Sequence, residues 1–592
     1  MSSLKDYMVV SYGYETIYGF SGGGLERIKK EIVEYNLHGI LETCSKIALT
    51  LHANGFANQQ TQIKLIRDIF ADDLDLRKRI VAAIRQGKAP WAIFTEHQLL
   101  CLVKIALQFA PHDQGKSVTP QDVGKVGRWL LIATDMCLED GVVKNLIIPR
   151  EQQREKVREF VARQYFFMAS ERLPYRVVRF EKLFNLIRKI HPKFNIDRFF
   201  SKATGSVVLK DYISFCFFFL VNWVNKTTKT PDITKEWIVC KDKYFEQTSL
   251  KPKEIDSVLS VLLLDVEKYS PDYQKAVNDI LGGQDIYAYN FLQLRQRPLI
   301  TFNDKCFVTP SPNFLMDKAT EGIYWILENY FRANNLKQQR DLLPSVWGDA
   351  FEEYIHQRLE SSFGKGSYYR NFTVKGGEKF DGIVDGQSVV LCIETKYAHW
   401  SYKAQLTGKR EDMEVTLKQL FSSGKKVKGL GQLTRSIIGL EKRIWQLPFD
   451  RKNRKILPIL VVGEMMPMDA YNRKFYEDLA RTAGVFYESS TVMPFIILNA
   501  EEIEMLEAIA VEHGKDMTEN LLIQYSEMFG KRNADGYVKE ALEFKNFLHA
   551  INYPAPNNPK LFKEFDRISL RAQKKGFPKS LSSQWNPNTN NF

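Results

Sequence analysis

The stretch that decides the fold is "KFDGIVDGQSVVLCIETKYAHW", residues 379–400. Apolar residues on either side of an Asp-Gly signal read as a β-hairpin, with its turn at "DGQS", residues 385–388. Asp381, Glu394 and Lys396 nevertheless stand among the apolar side chains. A charge on a core strand is costly unless it is paired or holds a metal ion. Strand side chains alternate between faces. Val390, Cys392, Glu394 and Lys396 therefore share one face, and Val389, Leu391, Ile393 and Thr395 the other. If Val384 pairs with Val389, Asp381 falls opposite Cys392. It then lies on the Glu394 face, one diagonal step away, or ~7–8 Å at the backbone. A two-residue Asp-Gly turn keeps the faces but moves the two acids further apart.

Two carboxylates on one patch repel unless something neutralises them. Hard oxygen ligands suit Mg²⁺, which keeps several waters and is completed by substrate phosphate. Lys396 beside them fits a group that orients a water or meets charge building on a phosphate. The alternative is an edge hairpin whose Glu394 and Lys396 form a solvated ion pair.

Outward from the hairpin, "SVWGDAFEEYIHQRLESSFG" carries apolar residues near 3.6-residue spacing and reads as a helix ended by Gly364 and Gly366. "SYYRNFTVK" reads as a strand. "EDMEVTLKQLFSS" and "GLGQLTRSIIGLEKRIWQL" read as helices. "KILPILVVGEMM" is a continuous apolar run, as expected of a strand covered on both faces. "RKFYEDLARTAG" is a helix, and "VMPFIILNAEEIEMLEAIA" a strand running into a helix. The order α-β-β-β-α-α-β-α-β-α predicts a mixed sheet flanked by helices, an α/β (α+β) domain.

Asp381, then twelve residues, then Glu394-Thr395-Lys396 resembles the motif of the PD-(D/E)XK nuclease superfamily. The element order resembles that family's restriction-endonuclease-like core. The resemblance covers roughly residues 340–500. It implies Asp381 and Glu394 as metal ligands and Asp381, Glu394 and Lys396 as the catalytic set. The family's first helix often carries a metal-associated Glu in a G-x-x-F-E context. Here "GDAFEEYI" supplies Gly348, Phe351 and Glu352, with Phe351 facing the core and Glu353 the fallback for Glu352. Gln432 and Arg435, on the helix after the strand, are candidates for contact with phosphate or water. Phe380 stands where the family name has Pro. The implied cofactor is Mg²⁺, with Mn²⁺ able to substitute, and the implied substrate is DNA. A role in bacterial defence against phage or foreign DNA follows by fold-level analogy. The rival expectations are a catalytically inactive nucleic-acid-binding or assembly protein of the same fold, and an RNase or structure-specific resolvase.

The rest of the chain sets the context. It has 592 residues and a net charge of +13, an excess that favours polyanionic partners. Lys403, Lys409, Arg410, Lys418, Lys425, Lys426, Lys428, Arg435, Lys442, Arg443 and "DRKNRK" at 450–455 form a basic zone around the hairpin. A weaker basic patch holds Arg571, Lys574, Lys575 and Lys579. His399 reads as structural, and no H-E-x-x-H zinc motif is present. The three glycines of "SGGGLERIKK" lack the Gly-Lys-Ser/Thr ending of a phosphate loop and read as a lead into a helix. The seven cysteines are scattered, which argues against a disulfide framework and for a reducing, cytoplasmic setting. The most apolar run, residues 212–224, is shorter than the ~20 residues that span a bilayer and reads as a buried element.

The expected domains are 1–230, helical; 231–340, a mixed connecting region; 341–515, the nuclease-like domain; and 516–592, a basic helical extension with a disordered tail. The helical N-terminal region is the expected seat of a protein partner or of self-association. A linker is expected near residues 224–237.

Overall fold

The apolar runs downstream of residue 345 assemble into one five-stranded sheet. The computed structural model describes residues 10–54, 58–86, 91–112, 114–139, 150–168, 173–217, 219, 239–246, 248–283, 287–303, 306–374, 377–421, 428–554 and 556–573. The chain divides into two compact units. The first takes its described residues from Ile148–Ile196 and Leu336–Glu564, the second from Ser2–Ile147, Asp197–Asn335 and Phe565–Phe592.

In the first unit, helices α1 (Arg150–Met168) and α2 (Leu173–Ile190) precede the long helix α3 (Lys337–Phe363). Strands β1 (Tyr368–Val374), β2 (Gly377–Asp385) and β3 (Val389–Lys396) follow. Next come α4 (Tyr402–Thr407), α5 (Arg410–Leu420), α6 (Leu430–Glu441), β4 (Lys455–Val462), α7 (Ala470–Thr482), β5 (Ile496–Asn499), α8 (Ala500–His513), α9 (Lys515–Gly530) and α10 (Phe544–Ala550). The sheet order is β5-β4-β3-β2-β1. The first three strands in sequence are antiparallel, and β3, β4 and β5 are parallel. Parallel neighbours need crossovers; α4–α6 provide one and α7 the other. Strand β3 lies at the centre and is buried along almost its whole length. Helix α3 packs against β1, β2 and β3, and α6 against β2 and β3.

Helix α3 starts earlier than its apolar spacing suggests and runs through Pro344. Proline removes one helical N–H, but buried Leu343, Val346 and Trp347 hold both sides of it in the core.

The unit boundaries differ from the domain reading. The second segment of the first unit starts at Leu336, close to the boundary expected between 340 and 341. Residues 148–196, read as part of a 1–230 domain, belong to the first unit, and so do α9 and α10, read as an extension. The reason is buried polar contact. Arg179 on α2 grips the Glu504 carboxylate of α8 at 2.7 and 2.9 Å, and the Tyr354 hydroxyl of α3 donates to the same carboxylate at 2.6 Å. Arg158 on α1 donates to the Gly408 carbonyl at 2.9 Å and to Asn472 at 3.3 Å.

The second unit is mainly helical, including Leu37–Asn54, Gln59–Ile69, Leu74–Gln86, Glu96–Phe109, Val123–Glu139 and Gly322–Ala333. Helix Gly24–Ile32 follows the glycine lead as expected. Residues 212–217 are helical and buried; the rest of that run is only partly described, and 224–237 and 574–592 lie outside the described residues. Val239–Cys240, Cys306–Val308, Leu299–Asn303 and Leu263–Leu264 form a small mixed sheet. Its antiparallel register sets Cys240 opposite Cys306, and the two form a disulfide. One pair is thus bonded although the scattered spacing argued against a disulfide framework. Spacing along the chain cannot reveal a pair created by strands 66 residues apart. Among the described residues no helix is long and apolar enough to cross a membrane.

Candidate functional site

The β2–β3 hairpin pairs Gly382 with Ile393, Ile383 with Cys392, Val384 with Leu391 and Asp385 with Val390. This register keeps the expected faces but differs from the expected pairing of Asp381 with Cys392. One step beyond the last pair, Asp381 falls directly opposite Glu394. The turn sets this register, and side chains from elsewhere hold it. Glu519 on α9 accepts the backbone N–H groups of Gln387, Ser388 and Val389 at 2.7, 2.5 and 2.9 Å. Arg454 donates to Asp385 at 2.6 Å and to the Gly386 carbonyl.

The three predicted side chains converge. Lys396 Nζ lies 2.6 Å from Glu394 Oε1 and 3.7 Å from Asp381 Oδ2. Asp381 Oδ2 also accepts the Thr395 N–H at 2.6 Å. Asp381 is 3% exposed and Glu394 0%, on interior strands of the sheet. The alternative of a solvated ion pair on an edge hairpin therefore fails. Burial pushes the Asp381 carboxyl above its usual range; the Lys396 ammonium opposes this and Glu352 adds to it. Burial works against the Lys396 ammonium as well, but Glu394 and Asp381 outweigh it, and its pKa is raised.

Glu352, on α3, is half-buried, with Oε1 3.4 Å from His356 Nε2. Its charge acts on both Asp381 and Lys396. Phe351 faces the core, edge-on to Tyr397. The fallback Glu353 is engaged elsewhere, by Arg370 at 3.2 Å and by Gln357. Gln432 is half-buried and Arg435 exposed on α6; neither joins the ion pairs just described. His399, read as structural, has Nδ1 2.5 Å from Glu464, which also accepts the Trp400 N–H.

Much of the basic zone is spent on ion pairs: Lys403 with Asp412, Arg410 with Glu155, Lys418 with Glu414, Arg451 with Glu441 and Arg454 with Asp385. Lys428, Arg435, Lys442, Arg443 and Lys452 are exposed. Lys425, Lys426, Lys574, Lys575 and Lys579 lie outside the described residues.

Sequence reasoning missed His356, Tyr368 and Asn371. The His356 ring lies 2.5 Å from the Tyr368 hydroxyl through Nδ1 and 2.8 Å from Asn371 Oδ1 through Nε2. Its place one turn after Glu352 is a signal the sequence does carry. Tyr368 and Asn371 carry none, because only strand pairing brings them here.

Among the described residues no group of three or more His, Cys, Asp or Glu is placed to hold a metal ion. Asp381 and Glu394 are brought together; Glu352 stands beside them, near enough for its charge to be felt. Carboxylate oxygens are hard donors of the kind that bind Mg²⁺, and in this structure the cation they meet is the Lys396 ammonium. Comparisons with family models, curated proteins and solved structures find no match for this chain.

Proposed function

We propose that this chain is a Mg²⁺-dependent nuclease of the PD-(D/E)XK kind, hydrolysing phosphodiester bonds in DNA. The observation that supports this reading is the meeting of Lys396 with Asp381 and Glu394 across two interior strands. The strand and helix order, with Glu352 on the helix before the first strand, agrees with a restriction-endonuclease-like core. Asp381 and Glu394 would hold the metal, with Glu352 assisting, and Mn²⁺ would substitute. When bound, Mg²⁺ would supply Lewis-acid polarisation of the phosphate. Lys396 supplies a cationic donor toward the phosphate oxygen on which charge develops. The hydrogen bond from Thr395 fixes the Asp381 carboxylate before substrate arrives. A cytoplasmic role in defence against foreign DNA accords with this chemistry.

The test is incubation of purified protein with plasmid, linear duplex, single-stranded DNA or RNA in Mg²⁺, Mn²⁺ or EDTA. DNA is expected to be cut with either metal and left intact in EDTA. Asp381→Ala and Lys396→Ala are expected to lower the rate by at least about a hundredfold while DNA binding persists. Cutting confined to RNA or to branched DNA would change the substrate. Binding without cutting would make the protein a retired member of the fold. Variants that cut as well as the parent would show that the site is misassigned.

A further inference from the structure

We propose that Asn371 is a phosphate-binding residue of this site and that His356 positions it. The choice of phosphodiester as ligand rests on the nuclease reading; the geometry does not.

Asn371 sits on edge strand β1. The pairs Arg370–Gly382 and Phe372–Phe380 bracket it and set it opposite Asp381, which in turn lies opposite Glu394. The three residues form one row across the sheet. Asn371 has φ +42°, in the left-handed region. Non-glycine residues seldom adopt that conformation, and asparagine tolerates it better than most. The ladder skips this position, and its register shifts just beyond, between Phe372 and Thr373. The backbone is thus irregular at the one edge-strand residue level with the two acids.

The side chain is aimed by its neighbours. His356 is 3% exposed and meets Tyr368 and Asn371 through its two nitrogens. Asn371 meets the ring through its Oδ1, at the same nitrogen, Nε2, that lies 3.4 Å from Glu352 Oε1. With Oδ1 on Nε2 at 2.8 Å, the amide nitrogen of Asn371 lies on the far side from the ring. Asn371 is itself exposed. The residue is therefore at the surface, at the register position that faces Asp381. The support behind the ring is close-packed: a Cβ on Gly382 would lie 2.7 Å from the Tyr368 hydroxyl.

This arrangement suits a non-bridging phosphate oxygen. A neutral donor attracts that oxygen without competing for Asp381 and Glu394, as another lysine or arginine there would. The adjacent cation, Arg370, is held by Glu353 and Glu360 of α3. Buried His356 does not reach substrate and acts through Asn371.

The test is duplex DNA binding by fluorescence anisotropy with Ca²⁺ in place of Mg²⁺, together with steady-state cleavage in Mg²⁺ and thermal melts of every variant. Asn371→Gly keeps the left-handed backbone and deletes the amide. It is expected to raise Kd about tenfold, as loss of one hydrogen bond to a charged group would, and to raise KM more than it lowers kcat. Asn371→Asp, nearly the same shape, is expected to bind more weakly still. His356→Ala is expected to match Asn371→Gly, and His356→Gln, which can still donate to Asn371, to recover most of the loss. Parent-like Kd in both Asn371 variants, with unchanged melting, would overturn the proposal. If the parent binds DNA without cutting it, the nuclease reading falls while the Kd series still decides the amide contact. If the parent does not bind DNA, both fall.

Discussion

At the scale of single residues, the site balances two buried acids against one partly exposed base. Lys396 is 26% exposed as a side chain, while Asp381 and Glu394 are almost fully enclosed. Replacing it with methionine leaves two carboxylates without their nearest cation. Lys396→Met is expected to cost about 2 kcal/mol at pH 8, less than the ~3–5 kcal/mol of breaking a fully buried pair, because solvent reaches the ammonium. The pH dependence follows from Asp381, whose pKa is already raised by burial. A carboxyl with a raised folded-state pKa keeps a proton that the unfolded chain releases, so the native state loses ground as pH climbs above the ordinary carboxylate value. Without Lys396 that pKa rises further. The stability deficit of the variant is therefore expected to shrink from pH 8 toward pH 5. A deficit equal at both values, measured by urea denaturation, would mean that Lys396 does not neutralise Asp381.

At the scale of elements, the hairpin is the decisive piece, and its turn is fixed from outside. Glu519 takes three successive N–H groups of the turn, and Arg454 takes the carbonyl between them and Asp385. Glu519→Ala is expected to destabilise the protein by about 2 kcal/mol and to speed hydrogen exchange at Gln387, Ser388 and Val389. Glu519→Gln, which keeps an acceptor oxygen, is expected to lie between. Unchanged exchange at those amides in Glu519→Ala would remove Glu519 from its role. Period-two alternation reveals which face Glu394 and Lys396 share. It cannot choose between registers two residues apart, because both keep every apolar side chain inward. That choice moved Asp381 from a diagonal position to one directly across from Glu394.

At the scale of the whole molecule, chain order and spatial grouping diverge. The first unit draws α1 and α2 from before residue 196 and the sheet from after residue 336. The Arg179–Glu504 pair, with both side chains at most 2% exposed, ties α2 to α8 inside that unit. Arg179→Ala strands a buried carboxylate and is expected to cost ~3–5 kcal/mol, whereas Arg179→Met with Glu504→Met together is expected to restore much of it. Urea denaturation of the two variants distinguishes a stranded charge from simple loss of packing. Equal losses would show that packing dominates. That this segment is helical was expected, but its membership of the first unit was not legible. Helical periodicity identifies a buried face and says nothing about which partner covers it.

By itself the sequence determined the five strands and most of the helices between residues 345 and 513, though not α4, along with the shared face of Glu394 and Lys396 and the inward face of Phe351. These follow from local periodicity, which any chain carries in its own order. Only the tertiary structure decided the hairpin register, the pairing of Cys240 with Cys306, the attachment of residues 148–196, and the His356–Asn371 contact. Each of these depends on groups far apart in sequence meeting in space. The contacts that settle them are hydrogen bonds, ion pairs and strand pairings, which leave no period in the chain.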